Sequence, residues 1–372
     1  MTDTQTSPFR ADHVGSLPRP AAVMNARRKF YSNDPSVSAE ELKAIEDAAI
    51  VDAIRMQENL GLHVTTDGEY PRYFWHYDFM GMLTGFELDR RDEGIQFAGT
   101  QIPPLYPTIK GKLDFPDDHP MLEHFRFVAA KTTVTPKISI PGPSCCHFRT
   151  APEDILPEEY EDDDVLFGDI AATYNKAVHA FYDAGCRYLQ MDDIYFAYLC
   201  DPKQRNIQKE MGRDPDDTLK RYAWMMNEAI KDRPDDMVIG MHMCRGNFQS
   251  TYAAEGAYEP AAEAIFSTSV DIFFMEYDSD RSGGLEPLRL LPKGKQRVLP
   301  GFVTTKKPEL EPVDDLKRKF EEASKYADLD QLGIAPQCGF SSTEHGNKIT
   351  FDDQRRKLEL VVTVAEAIWG SA

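Results

Sequence analysis

The stretch Val238-Ile-Gly-Met-His-Met-Cys-Arg-Gly-Asn247 has the form of a buried β-strand that ends in a glycine-containing turn. Because successive side chains of a strand alternate between its two faces, His242 and Cys244 point the same way from the end of this strand. An imidazole and a thiolate that converge on one point suit a borderline-soft cation such as Zn²⁺. A His-x-Cys pair also arises often by chance, so its meaning depends on the rest of the chain.

The same kind of strand-like run recurs on both sides of this stretch. Runs on the C-terminal side lie at 271–276, 296–303 and 332–338, and runs on the N-terminal side lie at 12–16, 64–69, 137–140 and 187–193. Eight runs, mostly followed by helical patterns, predict an α/β fold of the (β/α)₈ TIM-barrel type. The alternative, a doubly wound open sheet, lacks its G-x-G-x-x-G fingerprint after the first strand.

Helical patterns separate most of these runs. Ser38 and Glu41 have the spacing of a capping box and predict a helix that continues to about Leu60. Further helices are predicted at about 167–184, 217–231, 259–266, 313–326 and 351–369. The stretch 70–130 is irregular and rich in aromatic residues, proline and glycine. We interpret it as an insertion between strands two and three, with one or two hairpins, in a single catalytic barrel that spans residues 1–372.

The composition excludes several classes of partner. A formal net charge of −20 argues against nucleic acids and anionic membranes, because both would repel such a surface. No apolar run approaches the roughly 18 residues of a membrane span, and the N-terminus lacks the basic and apolar regions of a signal peptide. Six cysteines in 372 residues do not form a disulfide scaffold, so we expect a reducing, cytoplasmic setting. The sequence leaves the oligomeric state open.

The ends of the predicted strands carry the chemically active side chains. In TIM barrels the catalytic groups lie at the C-terminal ends of the strands. Those positions hold Gly15, Ser16, Glu69, Asp192, Asp193, His242, Cys244, Glu276 and Cys338. Two cysteines, one histidine and one glutamate complete a four-coordinate zinc shell. His13 and His345 lie near the same rim and are candidate acid–base groups.

Each of these residues also has a purely structural interpretation. A free cysteine such as Cys338 often serves as a small buried hydrophobic residue. Glu276 is able to form an ion pair with Arg281 or Arg245. For Cys186 and Cys200, which lie away from the strand end, we favour packing. The joint occurrence of thiols, imidazole and carboxylates at one rim favours the metal site.

Six segments together resemble the catalytic domain of cobalamin-independent methionine synthase. They are Asp12-His-Val-Gly-Ser16, Thr66-Asp-Gly-Glu69, Leu189-Gln-Met-Asp-Asp193, His242-Met-Cys244, Glu276 and Pro336-Gln-Cys-Gly339. The likeness is to the short relatives that lack that enzyme's duplicated N-terminal barrel, and it covers residues 9–369. The resemblance implies that Zn²⁺, held by His242, Cys244, Glu276 and Cys338, activates a thiol for alkylation. It also implies that Gly15, Ser16, Glu69 and Asp192 hold the amino-acid part of homocysteine.

Three departures from the family pattern concern the alkyl donor. The full-length enzymes carry a catalytic histidine in an Asp-Ile-His-Ser-Pro run, where this chain has Val303-Thr-Thr-Lys-Lys-Pro308, so Lys306 stands in place of the proton donor. The segment 142–149 lacks the tryptophan that helps to hold folate in those enzymes. The acidic balance gives no obvious basic patch for a polyglutamate tail. The donor could therefore be methylfolate, a corrinoid protein, a methylated small molecule or an epoxide.

The leading hypothesis is zinc-dependent methyl or alkyl transfer to a small-molecule thiol, with homocysteine as the acceptor and methionine as the product. One alternative keeps the metal and transfers an epoxide or another alkyl group to a different thiol, such as coenzyme M. A second alternative is a metal-binding barrel without catalytic turnover, which the missing histidine favours.

Overall fold

The computed structural model describes residues 9–91, 96–97, 100–101 and 105–372. The strands are β1 Val64–Thr65, β2 Thr84–Arg90, β3 Gln96–Phe97, β4 Thr100–Gln101, β5 Leu105–Asp114, β6 Thr135–Pro136, β7 Ile138–Pro141, β8 Tyr188–Asp192, β9 Val238–Met243, β10 Ile272–Glu276 and β11 Arg297–Gly301. The helices are α1 Ala21–Tyr31, α2 Ala39–Asn59, α3 Tyr77–Met80, α4 Pro120–Lys131, α5 Cys145–Phe148, α6 Asp163–Asp183, α7 Tyr195–Tyr198, α8 Pro202–Glu210, α9 Pro215–Ile230, α10 Ala262–Phe266, α11 Val313–Ala323 and α12 Phe351–Trp369.

The centre of the fold is a parallel sheet of five strands in chain order, β7-β8-β9-β10-β11. The strands are almost entirely buried, as expected for parallel strands that are covered on both faces. Their register places Asp192 at the end of β8 directly beside His242 of β9. On the other side of β7, the short strand β6 pairs in parallel with β1, with Val64 opposite Thr135.

Single parallel bridges extend this order beyond β11. Val298 of β11 pairs with Leu332, and Ile334 pairs with Ala11, so the segments 332–338 and 10–16 follow β11 in turn. At the remaining seam, the backbone N–H of Leu17 donates to the carbonyl of Gly68 at 2.9 Å. The prediction of an α/β fold with parallel strands is confirmed. The ladders found among the described residues do not run continuously around a closed barrel.

The predicted helices are present with small shifts of their ends. The capping box of α2 forms as expected, because Ser38 Oγ accepts from the N–H of Glu41 and the Glu41 carboxylate accepts from the N–H of Ser38. Between β10 and β11 the structure has short tight turns, Asp280–Ser282 and Glu286–Leu290, in place of a long helix. Six of the described helices were not predicted, namely α1, α3, α4, α5, α7 and α8. Proline residues stand at the N-termini of α1, α4 and α8, where no intrahelical N–H is needed. No described helix is long and apolar enough to cross a membrane.

The predicted insertion contains the hairpin that we expected. Strands β2 and β5 pair antiparallel, with Phe86 opposite Ile109, and β3 and β4 form a second short antiparallel pair. Residues 92–95, 98–99 and 102–104 of the insertion lie outside the described residues. The first part of the insertion, which follows Glu69 directly, returns to the C-terminal end of the sheet.

Candidate metal and substrate site

Three predicted metal ligands come together at the C-terminal end of the sheet. The ligand atoms of His242, Cys244 and Cys338 all lie within 4.8 Å of one another, and the three side chains are buried. His242 belongs to β9 and Cys244 follows it, so alternation along the strand turns both to one side. Cys338 ends the segment that follows β11 around the sheet. The structure therefore brings together three side chains that the sequence predicted to meet, and their role as metal ligands stays a prediction.

The imidazole of His242 is oriented by a carboxylate. Its Nδ1 lies 3.1 Å from Oδ1 of Asp192, the residue beside it in the neighbouring strand. Its Nε2 is buried and has no hydrogen-bond partner within the described part of the chain. A histidine that donates one N–H to a carboxylate and keeps its other nitrogen free is the usual arrangement of a metal-binding histidine.

The charges of the three side chains also suit a cation. Burial raises the pKa of Cys338, but the Cys244 S–H and the His242 ring outweigh it and lower that pKa well below its ordinary value. The hydrogen bond to Cys338 and burial raise the pKa of Cys244. Burial lowers the pKa of His242, but Cys338 and Asp192 outweigh it and raise that pKa to about 10. A bound Zn²⁺ would replace the protons that these groups share, so the donor set fits the ion.

Glu276, the fourth predicted ligand, lies outside this group of three. Its Oε2 accepts from the backbone N–H of Arg245 at 2.7 Å, and its Oε1 contacts Arg281 and, at 3.2 Å, Lys306 Nζ. Burial raises the pKa of Glu276, but Lys306, Arg281 and Arg245 outweigh it and lower that pKa to about 2. The carboxylate is therefore ionised and already paired. To reach the cluster it would have to exchange partners, and its role as a ligand stays a prediction.

The three ligands line a cavity at this end of the sheet. Its wall includes Ser16 and Asp192, two of the predicted substrate-binding residues. The Oγ of Ser16 accepts from the N–H of Ser341 at 3.1 Å, which fixes the turn after residue 14. Asp192 therefore faces the cavity and contacts His242 at the same time.

Glu69, the other predicted ammonium-binding residue, faces a different cavity. That second cavity is also lined by Asp67 and Asp78. The side chain of Arg72 lines both cavities and pairs with the Glu69 carboxylate. Burial outweighs Arg72 and raises the pKa of Glu69 to about 8. Gly15 lies against this carboxylate, since a Cβ at Gly15 would stand 2.9 Å from Glu69 Oε1.

The three predicted acid–base residues are not brought together, and none of them lines the metal-side cavity. His13 is buried, and burial together with Lys137 lowers its pKa to about 4. The Nζ of Lys306 lies 3.2 Å from Oε1 of Glu276 and 3.4 Å from Oδ2 of Asp278, so Lys306 is paired with both carboxylates. His345 is exposed and reaches the cavity wall through an edge contact with Phe248. Their catalytic roles remain predictions.

The sequence of this chain matches a known protein family. Residues 9–367 match the family model described as "Cobalamin-independent synthase, Catalytic domain". The chain belongs to this family. The resemblance seen in the sequence is thereby confirmed.

Several family members align with most of the chain. The Bacillus subtilis protein YxjG, of uncharacterised function, is 45% identical over 365 residues, which cover 97% of this chain and 95% of YxjG. A methionine synthase of Pyrococcus abyssi is 24% identical and covers 88% of this chain and 84% of its own length. The 5-methyltetrahydropteroyltriglutamate–homocysteine methyltransferase of Bacillus licheniformis is 25% identical, and the alignment covers 89% of this chain but 40% of that protein.

Solved structures of family members share the fold. A Listeria monocytogenes protein, provisionally described as a vitamin-B12 independent methionine synthase, has a TM-score of 0.77 and 36% identity, and covers 99% of this chain and 100% of its own. A B12-independent methionine synthase from Shewanella sp. W3-18-1 has a TM-score of 0.70, with 97% of this chain and 98% of its own covered. Its identity of 19% supports the fold alone.

Part of the cavity wall of this family member was not predicted from the sequence. Arg72, Phe74, Trp75 and His76 line the metal-side cavity, although 70–130 is predicted only as an insertion. The ring of Trp75 lies 4.2 Å from that of His76. These residues follow the second strand-like run directly, so their position at a strand end could have identified them. Arg149, which also lines the cavity, follows the third run in the same way.

The other four cysteines do not join the metal ligands. Cys145, Cys146, Cys186 and Cys200 are buried and free, and burial raises the pKa of each. They are therefore protonated at neutral pH. All six cysteines are free in the structure.

Proposed function

We propose that this protein is a zinc-dependent methyltransferase that alkylates the thiol of homocysteine or a similar amino acid. The observation that carries the proposal is the buried cluster of His242, Cys244 and Cys338 beside a cavity that Asp192 also lines. In this proposal the eight parallel segments form a closed (β/α)₈ barrel, with the site at its C-terminal rim. Membership of the family supports the reaction class.

Each part of the substrate would have its own partners. Bound zinc would lower the pKa of a coordinated thiol and so supply a thiolate nucleophile at neutral pH. His242, Cys244 and Cys338 would hold the ion, with Glu276 as the fourth ligand after it leaves Lys306 and Arg281. Asp192 and Glu69 would bind the ammonium group, and the N–H groups of the 15–16 turn would bind the carboxylate.

The alkyl donor would occupy the outer part of the same cavity. Phe74, Trp75 and Phe248 line it and offer an apolar, aromatic surface. In this proposal the surface takes the place of the tryptophan that the 142–149 segment lacks. A flat methyl donor such as a methylfolate, or a smaller electrophile, would pack against this surface.

The proposal is tested by measuring zinc and activity together. The purified wild-type protein is expected to contain about one zinc ion per chain and to methylate homocysteine in a screen of donors. Cys338→Ser is expected to lose both the zinc and the activity. Cys186→Ser is the matched control, because it removes a buried thiol outside the site and should keep both. Full zinc occupancy and turnover in Cys338→Ser would contradict the proposal.

One observation favours a second candidate, a thiol that carries an acid but no amino group. Two arginines, Arg72 and Arg149, line the metal-side cavity, whereas Glu69 faces the other cavity. Arg72 Nε and Nη1 are buried without a hydrogen-bond partner among the described residues. If this candidate is correct, Glu69→Gln leaves thiol binding unchanged. If the acceptor is homocysteine, the same variant weakens binding above pH 8, where Glu69 is ionised, on the order of tenfold or more, because a charge-assisted hydrogen bond is lost.

A further inference from the structure

A buried chain of hydrogen bonds leads from the interior of the sheet to His242. Lys137, between β6 and β7, places its Nζ 3.2 Å from Oε1 of Gln190 in β8. The Nε2 of Gln190 donates to Oδ1 of Asp192 at 2.8 Å and to the carbonyl of Val14 at 2.7 Å. The same Oδ1 of Asp192 lies 3.1 Å from Nδ1 of His242. Gln190 and Lys137 are fully buried and do not line the metal-side cavity.

The chemistry of these groups fixes the direction of every bond. A lysine ammonium donates only, so the group of Gln190 that faces Lys137 must be its carbonyl oxygen. The Gln190 amide NH₂ is then turned to Val14 and Asp192, and a carboxylate accepts only. His242 must therefore donate its Nδ1–H to Asp192. This leaves the lone pair of Nε2 for a metal ion.

The first member of the chain is itself held rigidly. Besides Gln190, Lys137 Nζ contacts Oδ1 of Asp12 at 2.7 Å and the carbonyl of His13, so each of its three protons has an acceptor. Asp12 Oδ2 in turn accepts from the hydroxyl of Tyr188 at 2.6 Å. A buried polar network with all members satisfied is rigid and specifies one arrangement.

We propose that Gln190, itself held by Lys137, is a positioning residue that sets the metal affinity of His242 through Asp192. This inference rests on the proposed function, because it assumes that His242 binds zinc. Gln190 commits Oδ1 of Asp192 to the histidine, so that Oδ2 is the oxygen available for a substrate ammonium. Through Asp192, the network therefore links the metal-binding His242 to the carboxylate oxygen that would bind the substrate ammonium group.

The test is the zinc dissociation constant, measured by competition with a chromogenic chelator. Gln190→Met keeps the length of the side chain and removes its amide. Its zinc affinity is expected to fall on the order of 10- to 100-fold, the usual effect of losing a partner that orients a metal ligand. Gln331→Met is the matched control, because Gln331 is a buried glutamine that donates to the carbonyls of Pro292 and Gln296 away from the site. That variant should lose stability and keep its zinc affinity.

A double-mutant cycle shows whether Gln190 acts through Asp192. If it does, Gln190→Met combined with Asp192→Asn should bind zinc no more weakly than Asp192→Asn alone. Additive losses, or an unchanged zinc affinity in Gln190→Met, would overturn the inference. If Gln190→Met does not fold, Gln190→Asn provides the same comparison with a polar side chain too short to reach Asp192. A wild-type protein that binds no zinc would instead overturn the proposed function, and the inference with it.

Discussion

The candidate site has a metal side, formed by His242, Cys244 and Cys338, and an amine side, formed by Glu69 and Asp192. The two sides differ in how completely they are assembled. On the metal side, the ligand atoms of His242, Cys244 and Cys338 already lie within 4.8 Å of one another. On the amine side, Glu69 faces a separate cavity and is paired with Arg72, while Asp192 faces the metal. Three of the four proposed metal ligands are already together, whereas Glu69 on the amine side, like Glu276 on the metal side, must first change partners.

The difference follows from where the residues lie in the chain. The metal ligands stand at the ends of parallel strand segments, where register and alternation fix the direction of each side chain. Glu69 has a positive φ of 61° in a turn, and Arg72 lies in the loop after it. A loop exchanges contacts more readily than a buried strand, so we expect the amine side to rearrange when the substrate binds.

The largest effect is expected from breaking the metal side. Four ligands together bind zinc with about 10–16 kcal/mol, so the loss of one thiolate should weaken binding on the order of 100-fold or more. Cys244→Ser should therefore lose most of its zinc, as measured by metal analysis after dialysis. Cys200→Ser, which removes a buried thiol elsewhere, should keep it. Zinc retained by Cys244→Ser would show that the cluster is not a metal site.

Asp192→Asn should affect both sides at once. The amide cannot accept strongly from His242 Nδ1, so we expect zinc affinity to fall about 10- to 100-fold. It also removes one charge that would bind the ammonium group. Titration calorimetry with homocysteine and with 4-mercaptobutyrate, which lacks the amino group, separates the two losses. An effect on the amine alone would show that the Asp192–His242 contact has no role in metal binding.

The amine side should depend on pH through Glu69. With a pKa of about 8, Glu69 is protonated and uncharged below pH 8 and ionised above it. Binding of an ammonium group should therefore weaken about tenfold for each pH unit below 8. Both homocysteine and 4-mercaptobutyrate carry a thiol, and only homocysteine carries an amino group. The ratio of their Kd values therefore removes the contribution of thiol titration and leaves that of the amine site. Glu69→Gln should remove the slope, and a slope that persists in this variant would assign it to another group.

The smallest effect is expected from Lys306→Met. Lys306 is one of the two cations that Glu276 would leave to bind zinc, so its removal should raise zinc affinity slightly, while Arg281 and the N–H of Arg245 still hold the carboxylate. Because Lys306 does not line the cavity, the turnover rate under saturating substrate should fall by less than about tenfold. A turnover rate reduced by about two orders of magnitude or more, with zinc still bound, would instead support the predicted role of Lys306 as the proton donor.

The regular parts of the fold were predictable because each depends on a local pattern. The apolar runs predicted the parallel strands, and the spacing of Ser38 and Glu41 predicted the start of α2. Helices α1 and α4, which begin at or beside a proline, were among the helices not predicted, although proline is favourable in the first turn of a helix. The closed barrel that the sequence predicted stays a prediction, because the strand ladders among the described residues do not join into a ring and closure depends on pairing between distant segments.

Local sequence patterns were sufficient for the parallel α/β fold and for the convergence of His242, Cys244 and Cys338. Both follow from the period of strands and from the rule that parallel strands end at one edge. The partners of the charged groups, in contrast, became known only from the folded arrangement. Glu276 is paired with Lys306 and Arg281, and Asp192 is turned to His242 by Gln190. A buried charge needs a partner, and the residues that fold next to it supply that partner. A local sequence pattern does not show which residues these are.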